Sequence, residues 1–245
     1  MNSIMTHIVA GYPSLKDSES IAELMLDSGV SYLEIQIPFS DPVADGPTIM
    51  KANQVALENG TSPEDCFGMM ERLKKKSKTP ILFMTYYNIV FHYGLEKFCK
   101  RAREIGCYGL IIPDMPIDEE SYDHYLKTCK KFGLHAIQVI SPITPDVRLK
   151  KIGKVASGFV YCVSRTGTTG VSQKLDPKLG QYLARVRKYL KVPIALGFGI
   201  SSKEQVREAL KNADIAVVGS AIVNLSEGVA NDSRERIRKF LGTLS

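Results

Sequence analysis

Two carboxylates early in the sequence are spaced so that one strand and the loop after it could carry acid–base chemistry. Glu34 lies in the apolar run Tyr-Leu-Glu-Ile-Gln-Ile, and Asp45 lies in the run that follows. Because the side chains of a strand alternate between its faces, Glu34 and Gln36 share one face and the aliphatic residues share the other. If the aliphatic face packs on helices, Glu34 points into the interior, where a carboxylate could give and take a proton. The alternative is a structural glutamate that is satisfied by a core partner.

The run Pro-Phe-Ser-Asp-Pro-Val-Ala-Asp-Gly-Pro, which ends at Pro47, places Asp45 in a restrained loop. Prolines on both sides of Asp45 narrow the backbone conformations that the loop can adopt. Such a loop could hold Asp45 above a pocket while Glu34 lies deeper, and two carboxylates in different surroundings can take different roles. Asp41, which precedes a proline, is interpreted as a turn or interface residue.

Eight short apolar runs alternate with longer amphipathic runs, which predicts eight parallel strands joined by helical crossovers. The predicted strands are Met5–Val9, Tyr32–Ile37, Ile81–Met84, Gly109–Ile112, Ala136–Ile140, Phe159–Val163, Ile194–Leu196 and Ile215–Val218. Eight strands in 245 residues are typical of the closed (β/α)8 barrel, or TIM barrel, of about 250 residues. The alternative is a doubly wound open sheet. It usually carries a glycine-rich phosphate loop after its first strand, where this sequence has Ala-Gly-Tyr-Pro.

We expect a single catalytic domain over residues 1–245. The first predicted strand begins within a few residues of Met1. We therefore expect the barrel to lack an N-terminal helix that would cover its bottom.

Active sites of such barrels lie at the C-terminal ends of the strands, so the residues there define the possible chemistry. No lysine ends a predicted strand, which disfavours a Schiff-base mechanism. No trio of histidine and acidic residues stands there, so we expect no metal site. Three late segments with glycine follow strands, and their backbone N–H groups favour a phosphate site over simple turns. These segments are Thr166–Gly170, Gly197–Ile200 and Val218–Ala221.

The composition excludes several classes of protein. The net charge of +6 could indicate nucleic-acid binding, but the basic residues are dispersed along predicted helices, which favours solvated surfaces. No apolar run approaches the roughly 20 residues that span a bilayer. The five cysteines contain no CxxC pair, which favours a reducing compartment. We therefore expect a cytoplasmic protein that binds neither nucleic acid nor a membrane.

The sequence closely resembles the alpha subunit of tryptophan synthase over nearly its whole length, from about Ala10 to Val223. The resemblance is carried by Glu34 with the loop up to Pro47, by Tyr86-Tyr87-Asn88, by Ile-Ile-Pro-Asp-Met-Pro116, by Tyr161 with Ser-Arg-Thr-Gly-Thr-Thr-Gly170, and by Gly-Phe-Gly199-Ile-Ser. It implies a (β/α)8 barrel that cleaves indole-3-glycerol phosphate to indole and D-glyceraldehyde 3-phosphate in tryptophan biosynthesis. That retro-aldol reaction uses neither a metal nor a Schiff base, which agrees with the absences above.

The resemblance also implies a role for each site residue. Glu34 is the acid–base group, and Asp45 hydrogen-bonds the indole N–H and stabilises the cationic ring. Tyr161 lies by the substrate near Glu34, and Thr169 orders Asp45 when a mobile loop closes. The remaining implied contacts are the indole pocket walls Phe198, Ile111 and Met84 and the phosphate ligands Gly170, Gly199, Gly219 and Ser220.

A partner is implied as well. The family forms an alpha2beta2 heterotetramer with a beta subunit, which the matching positions Asp41, Pro42, Asn88 and Pro116 would contact. Indole would pass to a pyridoxal-phosphate site in the beta subunit, so this chain would need no cofactor. Gln36 departs from the family, which usually has glycine there, and we expect its amide to narrow the pocket or to hydrogen-bond Glu34. Two alternatives remain open: a catalytically weak subunit that activates its partner, and a free-standing lyase that releases indole.

Overall fold

Eight parallel strands close into a barrel in which each strand pairs with its neighbours in sequence order. The computed structural model describes residues 3–163, 178–197, 199–228 and 230–244. The strands are β1 Ile4–Val9, β2 Tyr32–Gln36, β3 Ile81–Met84, β4 Gly109–Ile111, β5 His135–Ile140, β6 Val160–Val163, β7 Ile194–Gly197 and β8 Ile215–Val218. β1 pairs in parallel with both β2 and β8. This closure confirms the predicted barrel and excludes the open sheet, and each predicted strand boundary lies within one residue of the observed one.

Helices surround the barrel, and local sequence marks where several of them begin. They are α1 Leu15–Asp27, α2 Pro47–Glu58, α3 Pro63–Lys76, α4 Tyr87–Tyr93, α5 Leu95–Glu104, α6 Glu120–Asp123, α7 Tyr125–Lys131, α8 Asp146–Val155, α9 Leu179–Arg187, α10 Lys203–Leu210, α11 Ser220–Leu225 and α12 Ala230–Leu244. At α3, the Ser62 hydroxyl accepts from the Asp65 N–H while the Asp65 carboxylate accepts from the Ser62 N–H. That reciprocal cap satisfies two backbone donors that the helix itself cannot. No helix in the described ranges is long and apolar enough to cross a bilayer.

The two faces of each strand pack in different layers. On β2, Leu33 and Ile35 belong to the large apolar layer between strands and helices, whereas Glu34 faces the cavity inside the barrel. The predicted alternation along β2 is therefore confirmed. The interior itself holds a separate apolar cluster that includes Leu82, Met84 and Ile111.

Aromatic rings fill the lower end of the barrel, where the strands begin. Tyr32 makes edge-on contacts with Phe159 and Tyr108, with ring centroids 5.3 and 5.8 Å apart. His135 lies against Tyr108 at 4.5 Å between centroids. These rings stand at or just before the starts of β2, β4, β5 and β6, so they occupy the end of the barrel opposite the predicted active site.

Candidate active site

A cavity opens at the C-terminal ends of the strands, and both predicted carboxylates line it. Its volume is about 730 Å³, including solvent at its mouth, which falls in the usual range for small-molecule sites, about 300–1,000 Å³. Besides Glu34 and Asp45, the lining includes the predicted residues Tyr161, Met84, Ile111, Gly199, Gly219 and Ser220. The structure thus brings together residues from both halves of the sequence at one site.

Glu34 has a partner that the sequence prediction missed. The parallel register of β1 and β2 places His7 opposite Glu34, and His7 Nδ1 lies 3.0 Å from Glu34 Oε1. Both side chains are buried. His7 occupies an inward position of an apolar strand, between Met5 and Val9, and that alternation was the signal available in the sequence. The pairing with Glu34 required the register between the two strands, which the sequence does not show.

Burial and charge act in opposite directions on His7. Burial is the largest single effect and lowers the pKa of His7, but the charge and hydrogen bond of Glu34, the charge of Asp45 and the Gln36 amide together raise it by more. The net result is a pKa above the ordinary value of 6.5. The imidazole therefore keeps its proton to higher pH than a free histidine does.

Several buried polar atoms at this site have no hydrogen-bond partner among the residues that the structure describes. They are Glu34 Oε2, His7 Nε2 and Gln36 Oε1. A buried polar atom without a partner costs about 1–3 kcal/mol. A polar ligand in the cavity could supply the missing partner of Glu34 Oε2, since Glu34 lines the cavity wall.

Gln36 binds Asp45 and not Glu34. Its Nε2 donates to Asp45 Oδ2 over 2.7 Å and lies 3.4 Å from Asn53 Oδ1. Asn53 Oδ1 also accepts from the Phe39 N–H, which fixes the start of the loop. Of the two alternatives expected for the Gln36 amide, the hydrogen bond to Glu34 is therefore wrong, because the loop brings Asp45 within reach of the amide.

Asp45 is buried, although Val43 and Ala44 just before it in the loop are exposed. Burial raises the pKa of Asp45, while the Gln36 hydrogen bond, the charge of His7 and the Tyr86 hydroxyl offset part of that rise. The Tyr86 hydroxyl also accepts from the Ala44 N–H at 3.0 Å. The loop is thus anchored from β2, from α2 and from the residue that precedes α4.

Tyr161 presents a neutral hydroxyl to the site. Burial raises the pKa of Tyr161 well above 10, and the nearby charges of Glu34 and Asp45 add to the rise. The ring lies against Gly197, where an added Cβ would stand only 2.8 Å from the Tyr161 hydroxyl. Gly197 therefore provides the space that Tyr161 occupies.

The predicted phosphate ligands fall into two groups. Gly199, with φ of +77°, Gly219 and Ser220 line the cavity, and Ser220 begins the short helix α11. Gly170, together with the predicted substrate contacts Thr169 and Phe198, lies outside the described residues.

The four predicted partner contacts do not share one environment. Asp41, Asn88 and Pro116 are exposed, whereas Pro42 is buried within this chain. Sequence reasoning missed several exposed apolar side chains beyond the same strand ends. They are Val43, Phe91, Ile143 and Val147, with 64–75% of their surface exposed.

No group of three or more histidine, cysteine or acidic residues that could hold a metal ion occurs within residues 3–163, 178–197, 199–228 and 230–244. The absence of a metal site from the whole chain stays a prediction.

Comparisons with known proteins give one consistent relationship. The family model described as Tryptophan synthase alpha chain matches residues 1–243. The alpha chain of Syntrophotalea carbinolica is 44% identical over 226 residues, which cover 92% of this chain and 88% of that protein. The alpha chain of Methanocaldococcus jannaschii is 46% identical over 220 residues, covering 89% and 77%. A solved variant of the Pyrococcus furiosus tryptophan synthase alpha-subunit superposes with a TM-score of 0.91 at 31% identity, covering 99% of this chain and 97% of that one.

Proposed function

The chain belongs to the tryptophan synthase alpha chain family, whose members cleave indole-3-glycerol phosphate, and we propose that Glu34 and Asp45 carry this reaction here. The products are indole and D-glyceraldehyde 3-phosphate. The observation that supports the assignment most directly is that the two carboxylates line one cavity. Glu34 lies on the barrel wall, and Asp45 lies on the loop beyond it.

Glu34 is proposed to move the protons. In its protonated form it gives a proton to C3 of the indole ring, which makes the ring a leaving group. The resulting carboxylate then takes the proton from the hydroxyl on the adjacent side-chain carbon. As that carbon becomes an aldehyde, the carbon–carbon bond breaks and its electron pair returns to the ring as indole. Oε2 has no hydrogen-bond partner among the described residues, which supports this role because one oxygen of the carboxylate then stays available for substrate.

Asp45 is proposed to bind the indole N–H. Protonation at C3 places positive charge on the ring nitrogen. An anionic acceptor at the N–H therefore stabilises the transition state more than the ground state. Burial strengthens this interaction, since the effective dielectric is lower than in water. Gln36 and Tyr86 hold the carboxylate in place before the substrate binds.

The other site residues bind and orient the substrate. Met84 and Ile111 supply apolar walls for the ring, and the neutral Tyr161 hydroxyl lies near Glu34. Backbone N–H groups at Gly199, Gly219 and Ser220 suit the phosphate, as expected for a short helix after the last strand of a barrel. The roles of Thr169, Gly170 and Phe198 stay predictions.

The chain pairs with a tryptophan synthase beta chain, as its family does. We place the contact on the exposed residues Asp41, Asn88 and Pro116 together with the apolar side chains at the same face. Pro42 is proposed to shape this loop from within, since it is buried. Pyridoxal phosphate then belongs to the beta chain, and a reaction without any cofactor in this chain stays a prediction, as does a cytoplasmic location.

Indole release from indole-3-glycerol phosphate, measured for the chain alone and with a beta chain, tests the assignment. General acid–base groups accelerate a reaction about 100- to 10,000-fold. The rate of indole release should therefore fall at least about 100-fold in Glu34→Gln, while the variant still binds glyceraldehyde 3-phosphate. Glu58→Gln, at an exposed helix end, is the matched control and should retain full turnover. Normal turnover in Glu34→Gln would sink the assignment. Stimulation of the beta chain without any cleavage would instead favour an activating subunit.

A further inference from the structure

His7 lies in the proposed active site, yet the mechanism above gives it no task. It lines the cavity, it is buried, and its Nδ1 lies 3.0 Å from Glu34 Oε1. We propose that His7 is a positioning residue for Glu34, holding Oε1 through Nδ1 and supplying, as an imidazolium, the charge that stabilises the Glu34 carboxylate when C3 is protonated. This inference rests on the proposed function, since it assigns a partner to the proton carrier named there.

The geometry separates the two oxygens of Glu34. Oε1 is engaged by His7, whereas Oε2 has no partner among the described residues. A carboxylate held at one oxygen cannot rotate freely, so the other oxygen keeps a fixed direction. The two proton transfers occur at ring carbon C3 and at the hydroxyl oxygen on the carbon bonded to C3, which are only two bonds apart. One oriented oxygen can therefore serve both.

The charge balance explains why the partner is a histidine. Once Glu34 has given its proton to C3, it leaves a carboxylate in a buried site, and an isolated buried charge is costly. An imidazolium 3.0 Å away compensates that charge where it forms, so it favours the proton transfer itself. A neutral hydrogen-bond donor would hold Oε1 equally well but would compensate less charge.

The groups facing His7 determine how the pair responds to pH. From β2 it faces Glu34 and the Gln36 amide, and from the loop after β2 it faces Asp45. Tyr161, on β6, keeps its proton well above pH 10. The loop after β8 contributes Gly219, which has no ionisable side chain. Among these described neighbours, His7 is the group whose positive charge is lost as pH rises through its raised pKa, so turnover should fall in that direction.

Two variants separate the effect of the hydrogen bond to Glu34 from the effect of the positive charge on His7. In His7→Asn the amide nitrogen can replace Nδ1 as a donor to Glu34, but it cannot become charged. In His7→Phe both the donor and the charge are removed at similar volume. His124→Asn is the matched control, because His124 is exposed at φ 55° and asparagine tolerates that conformation.

Steady-state indole release across pH, with a beta chain present, gives the kinetic test. We expect kcat to fall at least about tenfold in His7→Phe, with KM within about threefold of the wild-type value. In His7→Asn the loss of kcat should be smaller, because a neutral hydrogen bond to Glu34 remains and is roughly half as strong as a charge-assisted one. The decline of kcat on the basic side should be present in the wild type and in His124→Asn and absent in His7→Asn. An unchanged basic decline in His7→Asn, or wild-type kcat in His7→Phe, would overturn the proposal.

A direct titration covers the case in which His7→Phe does not fold. The chain has four histidines, so their imidazole NMR signals can be followed separately, with His7 assigned by its loss in His7→Asn. The pKa of His7 should exceed 6.5 in the wild type and fall in Glu34→Gln. A pKa that does not change in Glu34→Gln would overturn the inference. If Glu34→Gln itself retains indole release, the proposed function fails. If Glu34→Gln loses indole release but the His7 variants match the wild type in kcat and pH profile, only this inference fails.

Discussion

The side-chain amide of Gln36 donates a hydrogen bond to Asp45, with 2.7 Å between Nε2 and Oδ2. A residue on the barrel wall therefore fixes a residue on the loop above it. The bond also favours the ionised form of Asp45 against the effect of burial. Glu34, the neighbouring inward residue of β2, has a different partner in His7. The two proposed catalytic carboxylates thus have separate supports: Asp45 is held from β2 by Gln36, and Glu34 is held from β1 by His7.

Replacing Gln36 by alanine should weaken the placement of Asp45. A hydrogen bond to a charged group contributes about 1.5–3 kcal/mol, and about 1.4 kcal/mol corresponds to a factor of ten. We therefore expect kcat/KM for indole-3-glycerol phosphate to fall about 10- to 100-fold. Gln54→Ala is the control, because Gln54 is an exposed glutamine of α2 that bonds only Glu58 among the described hydrogen bonds. Equal kcat/KM in the two variants would mean that Gln36 does not position Asp45 for catalysis.

The sequence predicted the elements better than the contacts between them. Alternation along β2 sufficed to place Glu34 and Gln36 inside, because strand geometry is local. The partner of Glu34 depends on the register between β1 and β2, which no local pattern encodes. Likewise, Gln36 was expected near Glu34 because the two share a face, but the path of the loop from Phe39 to Asp45 decided which carboxylate the amide reaches. The buried Pro42 is a further consequence of that path.

The substitution Asp45→Asn should stabilise the fold at neutral pH while impairing activity. Burial raises the pKa of Asp45 above 3.8, so between that value and the folded pKa the folded chain binds more protons than the unfolded chain. Stability therefore falls as pH rises through this range, and the loss is fully present above the folded pKa. An asparagine side chain carries no charge, so it avoids this loss, and its amide oxygen can still accept from Gln36.

Thermal unfolding of the wild type and of Asp45→Asn at several pH values tests this relationship. A gain of about 1 kcal/mol raises Tm by about 2–4 °C in a chain of this size. The difference in Tm should be largest near pH 7 and should disappear as pH falls to about 3.8, the ordinary pKa of the group. A variant that is less stable than the wild type at pH 7 would show that burial does not penalise the charge of Asp45.

The substitution Gly197→Ala should disturb the site through Tyr161. The added Cβ would stand 2.8 Å from the hydroxyl and 2.9 Å from Cε1 of Tyr161, so the ring must move. Overpacking of this kind costs about 1–3 kcal/mol, and we expect both Tm and kcat/KM to fall. Gly242→Ala provides the contrast, because no atom of the described residues lies within 4 Å of its added Cβ on α12, and alanine in a helix gains about 0.5–1 kcal/mol over glycine. If Gly197→Ala retains wild-type kcat/KM, the position of Tyr161 is not important for turnover.

A charge at Phe91 should weaken association with the beta chain without changing the barrel. Phe91 is 64% exposed on α4, next to Asn88, and exposed aromatic side chains are frequent anchors of protein interfaces. Burying an aspartate there without a partner is unfavourable, so Phe91→Asp should raise the Kd for a beta chain at least about tenfold, or about 1.4 kcal/mol. Val155→Asp is the control, because Val155 is 45% exposed at the end of α8, where the chain leads into the start of β6 at the end of the barrel opposite the cavity. Titration calorimetry with a beta chain measures both affinities, and indole release by each variant alone reports whether the barrel is intact. Unchanged affinity in Phe91→Asp, or an equal loss in Val155→Asp, would place the contact elsewhere on the surface.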